Sequence, residues 1–213
     1  TELVQSAEKF NSKLIDIRKP KLAKEHAFWT GDIKSVQAPR IAMFGTDCAI
    51  GKRTSSIWLR NACLEAGIRT EMIYTGQTGK LQGGQYGFIL ASTLNDFVSG
   101  ELESAILSCD QRENPDLILL EGQSSLRNPS GPCGSDYICS AMAKGVIIQC
   151  APKQKYFLAD DERELWPIPP IEEEIELIRL YGSKTLAVTL NSENLTKTEL
   201  HSEQKSLENR AAL

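Results

Sequence analysis

The chain has 213 residues, 41% of them hydrophobic, and a formal charge of −4, enough for one α/β domain with a real core and too apolar for a disordered chain. The negative balance offers no broad basic field to a phosphate backbone, so nucleic acid is not an expected partner. No apolar run reaches the roughly 18 residues of a spanning helix and no secretory signal opens the chain, so a cytoplasmic location without membrane contact is expected.

In chain order, "SKLIDIRKP" (12–20) reads as a strand cut short by Pro20, and "HAFWTGDI" (26–33) as an ordered surface segment. Residues 1–39 are accordingly expected to be the tail of a preceding N-terminal domain with its linker. Residues 40–213 are expected to form one domain, truncated at its C-terminus. Short apolar runs free of proline follow at 40–44 (RIAMF), 71–74 (EMIY), 116–120 (DLILL), 145–150 (GVIIQC) and 185–190 (TLAVTL). That pattern belongs to strands buried on both faces.

Helical stretches alternate with these runs. In 95–109, Val98, Leu102, Ala105, Ile106 and Cys109 recur on one helical face behind Asn95 as N-cap. Ile171, Ile175 and Ile178 do the same ahead of Gly182. The last segment, "TKTELHSEQKSLENRAAL", is polar and helix-like. A βαβ series predicts a parallel sheet with helices on both faces and ligands at the carboxyl ends of its strands. Five polar loops should therefore meet on one edge.

The first of those loops, "GTDCAIGKRT" (45–54), follows the strand at 40–44. Gly45 and Gly51 permit a tight path that turns N–H groups inward, Lys52 supplies a cation, and the next helix offers its positive end. This is close to a phosphate-binding loop, except that Arg53 follows the lysine where a Ser or Thr would ligate magnesium. Thr54 comes one residue late, about 100° around the helix. Arg53 either adds charge against a phosphate or faces solvent.

Two carboxylates, Asp47 in the loop and Glu121 at the end of the run 116–120, should point toward bound phosphates. They would repel them unless a cation such as magnesium lay between. The plainer alternatives are that Asp47 caps the loop and Glu121 holds a turn. Cys48, Cys63, Cys109, Cys133, Cys139 and Cys150 form no C-x-x-C pair and only two histidines exist, so reduced thiols rather than a zinc site are expected.

The stretches "GTDCAIGKRT", "IYTGQTG", "NDFVSGELE", "LLEGQSSLRNPSG" and "LNSEN" together resemble the P-loop domain of a bacterial family long known only as one of unknown function, whose named member is a D-glutamate N-acetyltransferase. The likeness spans about residues 12 to 195, and in that family a smaller α/β domain precedes this one. A more distant likeness to dethiobiotin synthetase implies magnesium ligation by Asp47 and Glu121 and adenine reading by Asn191. The resemblance thus implies a P-loop NTPase-like α/β fold and acetyl transfer from acetyl-CoA to an acidic amino acid, D-glutamate by resemblance alone.

On that reading the loop from Gly45 through Thr46, Asp47, Cys48, Ala49, Ile50, Gly51, Lys52 and Arg53 to Thr54, with Gln77 and Asn191, holds the nucleotide. Glu121 serves as base, Gln77, Gln123 and Ser124 donate hydrogen bonds, and Arg127 or Lys80 holds a substrate carboxylate. An ATP- and magnesium-dependent ligase or kinase of the dethiobiotin type is the alternative, and a nucleotide-binding domain without turnover a third. A homo-oligomer is the expected assembly.

Overall fold

The computed structural model describes residues 1–158 and 166–211. Six strands form one parallel sheet: β1 (Arg40–Gly45), β2 (Thr70–Tyr74), β3 (Tyr86–Gly87), β4 (Leu117–Glu121), β5 (Gly145–Cys150) and β6 (Lys184–Leu190), in the spatial order β3-β2-β4-β1-β5-β6. The helices are α1 (Glu2–Lys9), α2 (Lys52–Glu65), α3 (Gln77–Leu81), α4 (Val98–Glu113), α5 (Ser135–Cys139), α6 (Ile171–Leu180) and α7 (Lys197–Ala211). All five strands expected from apolar runs form. The two-residue edge strand β3 escapes notice because a strand that short carries no periodicity.

The central strands explain themselves. β1, β4 and β5 are flanked on both edges and covered on both faces, and Ala42, Ile118, Leu120, Val146 and Ile148 are almost wholly buried in one core with Leu102 and Ile106 of α4. The edge strand β6 is only partly buried. Register then fixes the site, because Met43 lies opposite Glu121 and Gly45 opposite Gln149. The loop after β1 therefore leaves the sheet between the ends of β4 and β5.

Two expectations at the N-terminal side need correction. Residues 12–20 form no strand, since Pro20 and the charged neighbours leave them nothing to pair with. The boundary at residue 39 falls inside a packed unit: Ile33, Val36 and Ala38 belong to the core of the sheet domain. What holds them is a clasp on α4. Glu103 accepts hydrogen bonds from the backbone N–H of Thr30 (2.6 Å), Gly31 (2.9 Å) and Ile33 (3.0 Å) and from the Thr30 hydroxyl (3.1 Å).

Glu101, one turn-face away, accepts from Lys21 Nζ (2.6 Å) and Ala27 N (3.2 Å) and pairs with His26 Nδ1 (2.9 Å). Burial alone would raise the Glu101 carboxyl, but Lys21, His26 and the Ala27 amide outweigh it and hold the group below its usual range. Just ahead of the two carboxylates Gly100 keeps the surface of α4 open, since a Cβ there would lie 2.1 Å from the Ala27 carbonyl oxygen. The stretch "VSGELE" is thus the seat of residues 26–33.

α4 starts later than expected. Asn95–Phe97 form a 3₁₀ turn and Asn95 makes no side-chain cap, because Phe97 is drawn inward to stack on the His26 ring at 4.8 Å. At the other end Asn114 terminates the helix in the left-handed conformation, φ 44°. The final helix is present, and its expected last two residues, 212–213, lie outside the described residues. No helix among the described residues is long and apolar enough to cross a membrane.

Candidate functional site

The loop between β1 and α2 has the backbone of a phosphate cradle. Gly51 stands at the N-cap of α2 in the left-handed region, φ 102°, and Ala49 shares that region at φ 54°, so only Gly at position 51 enters it without strain. Lys52 opens α2 and is buried. Its Nζ donates to the carbonyls of Asp47 (2.5 Å) and Ser124 (2.8 Å), tying the loop to the segment after β4. Burial pulls the ammonium below its usual range despite the acidic groups around it.

A cleft of about 400 Å³ opens over this loop, lined by Cys48–Thr54, Gln77, Glu121 and Gln123 among others. Ser124 also lines it, with φ 45°. Gln123 donates to the Thr75 hydroxyl (3.1 Å), which itself donates to the Glu121 carbonyl (2.6 Å). The ends of β2 and β4 are thereby locked side by side.

Glu121 is 4% exposed, and its protein donors converge on one oxygen. Oε2 accepts from Arg53 Nη1 at 2.8 Å and from Thr75 N at 3.2 Å. Arg53 also donates from Nε to Gln82 Oε1 at 2.6 Å. Burial pushes the Glu121 carboxyl above its usual range, against the pull of Arg53 and the Thr75 amide. Arg53 thus does not simply face solvent: it lines the cleft and neutralises Glu121, the one acidic group among the described residues of the lining.

Asp47 departs furthest from expectation. It is fully buried, with Oδ1 accepting from Asn128 Nδ2 (2.8 Å) and Oδ2 from Gln154 Nε2 (2.5 Å) and Leu158 N (2.7 Å). A carboxylate whose two oxygens already hold three N–H donors is a strut: instead of capping its own loop, Asp47 ties that loop to Asn128, Gln154 and Leu158. As placed, Asp47 and Glu121 do not fit a magnesium ion: the first faces amide donors and the second a guanidinium. Among the described residues no three acidic, histidine or cysteine side chains gather as a metal-holding group.

A family model described as "Domain of unknown function (DUF1611_C) P-loop domain" matches residues 27–213. The chain belongs to this family. Its start at residue 27 coincides with the clasped segment. A protein of Pseudoalteromonas sp. named D-glutamate N-acetyltransferase is 38% identical over 129 residues, 61% of this chain and 36% of that protein. The crystal structure of a DUF1611 family protein from Anabaena variabilis ATCC 29413 matches with a TM-score of 0.82 at 24% identity, covering 93% of this chain and 58% of that one. The second likeness speaks for the fold. The chain spans about a third of the curated relative and somewhat over half of the solved one.

Within this DUF1611 P-loop domain the expected site residues separate into two groups. Cys48 through Thr54, Gln77, Glu121, Gln123 and Ser124 line the cleft, whereas Gly45, Thr46 and Asp47 support it from beneath. Thr46 N, for instance, donates to the Gln149 carbonyl at 3.0 Å. Asn191 is also a support: its Nδ2 donates to the Ile50 carbonyl (3.1 Å) and its Oδ1 accepts from Glu193 N (2.8 Å), so its amide is engaged by the loop.

Arg127 is not in the cleft. It forks onto Glu174 (2.6 Å) and Glu173 (2.5 Å) of α6, because the chain turns away from the sheet after β4. Lys80 is exposed on α3 outside the cleft lining. All six cysteines are unpaired. Sequence reasoning missed Asn128, Gln154 and Gln82. Their partners lie 81, 107 and 29 residues away, and amides in loops carry no pattern that announces a long-range partner.

Proposed function

We propose that this domain holds the diphosphate of acetyl-CoA on its P-loop and serves acetyl transfer to the amine of an acidic amino acid. The observation that carries the reading is the Arg53–Glu121 ion pair. A phosphoryl-transfer site needs a positioned magnesium at the γ-phosphate, and here a guanidinium occupies the partner position of Glu121, the only carboxylate among the described residues that line the cleft. Coenzyme A has a diphosphate to grip and no γ-phosphate to transfer. The relative named D-glutamate N-acetyltransferase supports the same chemistry and suggests the acceptor.

In this reading Lys52 and the loop amides hold the diphosphate. The buried Glu121 takes a proton from the substrate ammonium, its raised affinity for protons suiting a general base. The freed amine attacks the thioester carbonyl carbon, the C–N bond forms, and the carbonyl π electrons move onto oxygen. Gln123, which lines the cleft, donates to that oxyanion in this reading through the amide N–H that Thr75 leaves over. As the carbonyl re-forms, the C–S bond breaks and coenzyme A leaves as thiolate, taking up one proton. The products are the N-acetyl amino acid and free thiol, with one proton released to solvent.

Titration calorimetry with acetyl-CoA and with ATP–magnesium, beside a transfer assay in EDTA, tests this. Acetyl-CoA should bind without magnesium, transfer should survive chelation, and Arg53→Thr should shift preference toward ATP–magnesium by about tenfold, as a hydroxyl and an unpaired Glu121 are then offered to the ion. ATP turnover abolished by chelation would favour a ligase or kinase instead, and binding without any turnover a nucleotide-binding domain.

A further inference from the structure

A second cavity of about 390 Å³ adjoins the P-loop cleft, and the two share Arg53, Ile57 and Gln82 in their walls. It lies outside the phosphate loop, between α2 and the part of β2 ahead of Ile73 that β3 does not pair with. Its charges are of both signs. Arg60 of α2 faces Glu71 of β2 at 3.5 Å, with 34% and 27% of their side chains exposed, and Glu113 and Tyr74 complete its polar lining.

The glycine turn before β3 forms the rim. At Gly84 a Cβ would lie 2.6 Å from Tyr74 Cδ1, so the missing side chain lets the turn lie on the Tyr74 ring. Gln82 uses its carbonyl on Arg53 Nε, which leaves its amide N–H₂ as a donor.

A nucleotide does not suit this chamber, because Glu71 and Glu113 would repel a polyanion. An apolar ligand does not suit it either, since charged and amide groups would be left without partners. A zwitterion satisfies both signs at once. The Arg60–Glu71 pair is too long and too exposed to be worth much by itself, so a ligand carboxylate can take the guanidinium without a large penalty.

We propose that this cavity is the acceptor site, binding a free amino acid with its carboxylate on Arg60 and its ammonium beside the cavity carboxylates, Glu71 and Glu113, from where it moves to the seam where Arg53 meets Glu121. The inference rests on the acetyl-transfer reading for its orientation. Arg53 is neutralised by Glu121, so the seam does not repel an ammonium, and an amine that enters the adjoining cleft at this seam meets Glu121, the proton acceptor. The second carboxylate of an acidic amino acid falls to the amides around Gln82. One guanidinium thereby forms a shared wall between the nucleotide and its co-substrate.

The test combines binding and turnover. D-glutamate and acetyl-CoA are titrated separately into the wild-type protein and into Arg60→Ala, Arg60→Lys, Glu71→Gln and Lys52→Ala, and KM values for both substrates are measured wherever transfer occurs. Arg60→Ala should weaken D-glutamate by about ten- to a hundredfold, the loss of one charge-assisted contact, with acetyl-CoA affinity unchanged. Arg60→Lys should recover part of that loss, and Lys52→Ala should do the reverse, sparing the amino acid. D-glutamate binding that depends on Arg60 in a protein showing no acetyl transfer would uphold the cavity and sink the transferase reading. Transfer whose amino-acid KM is indifferent to Arg60, or no D-glutamate binding by the wild-type protein, would overturn the cavity assignment.

Discussion

The clasp on α4 and the cleft over the P-loop are both built around buried carboxylates, yet the surroundings of Glu101 and Glu121 pull those two groups in opposite directions. Glu103 holds four donors and Glu101 three, and Glu101 is held below the usual carboxylate range. Among the described residues Glu121 has donors on one oxygen only, and burial pushes it up. A saturated carboxylate organises backbone and has nothing left for a ligand, whereas one left half-satisfied is poised for chemistry. By this measure Asp47 belongs with the clasp although it lies inside the P-loop sequence.

The strongest way to break the contrast is to remove a saturated member. Glu103→Ala orphans three backbone N–H groups and should destabilise the fold by about 3 kcal/mol, lowering Tm by roughly 6–12 °C in calorimetry. Ligand affinity below the transition should be unchanged. A weakened P-loop affinity in a protein of normal Tm would show that the clasp is part of the site.

Lys52→Ala probes the other region and should cost a phosphate-bearing ligand about 2–3 kcal/mol, roughly thirty- to more than a hundredfold in Kd. Because Lys52 also holds the Asp47 and Ser124 carbonyls, a small drop in Tm of a few degrees should accompany it. Full affinity in a well-folded variant would remove the loop's claim to phosphate. For Asn191→Leu, adenine nucleotides and inorganic pyrophosphate should weaken alike, by about 1 kcal/mol, since the residue holds the Ile50 carbonyl. A loss confined to adenine-bearing ligands would restore it as a base reader.

The mildest test is acid. Glu101 has a lowered pKa in the fold, so its stabilising contribution is present above its unfolded pKa and is lost as pH falls through its lower folded value. Glu121 has a raised pKa, so protonation favours its folded environment as pH falls through that value. Hydrogen exchange followed from pH 7 toward about pH 3, corrected for intrinsic rates, should show protection at Thr75 changing before that at Ala27, because Glu121 takes up its proton at higher pH than Glu101. The reverse order would dissolve the distinction.

The fold was legible because buried parallel strands and the P-loop are local patterns. Apolar runs such as 116–120 and 145–150 state their burial in their own composition, and a glycine-flanked lysine after a strand has few other uses. The roles of individual polar residues were less legible. Asp47, Asn191 and Arg127 have the chemistry expected of ligand-binding groups, but a residue's role depends on partners elsewhere in the chain. Asn128 and Leu158 decide that Asp47 is a strut, and Glu173 and Glu174 remove Arg127 from the cleft. Arg53 could be recognised as anomalous from sequence, whereas its pairing with Glu121 required the parallel register of β1 and β4.

The tether from Asp47 to Leu158 spans 111 residues, and it has a consequence for the order in which the protein is made. As the chain leaves the ribosome, the phosphate-loop sequence emerges before the donors that shape it, which come from Asn128, Gln154 and Leu158. A nascent chain halted before β5 carries the signature without the cradle. Phosphate affinity should therefore arise in a single late step of synthesis, once residues beyond 158 have cleared the exit tunnel, rather than grow with the length of chain already folded.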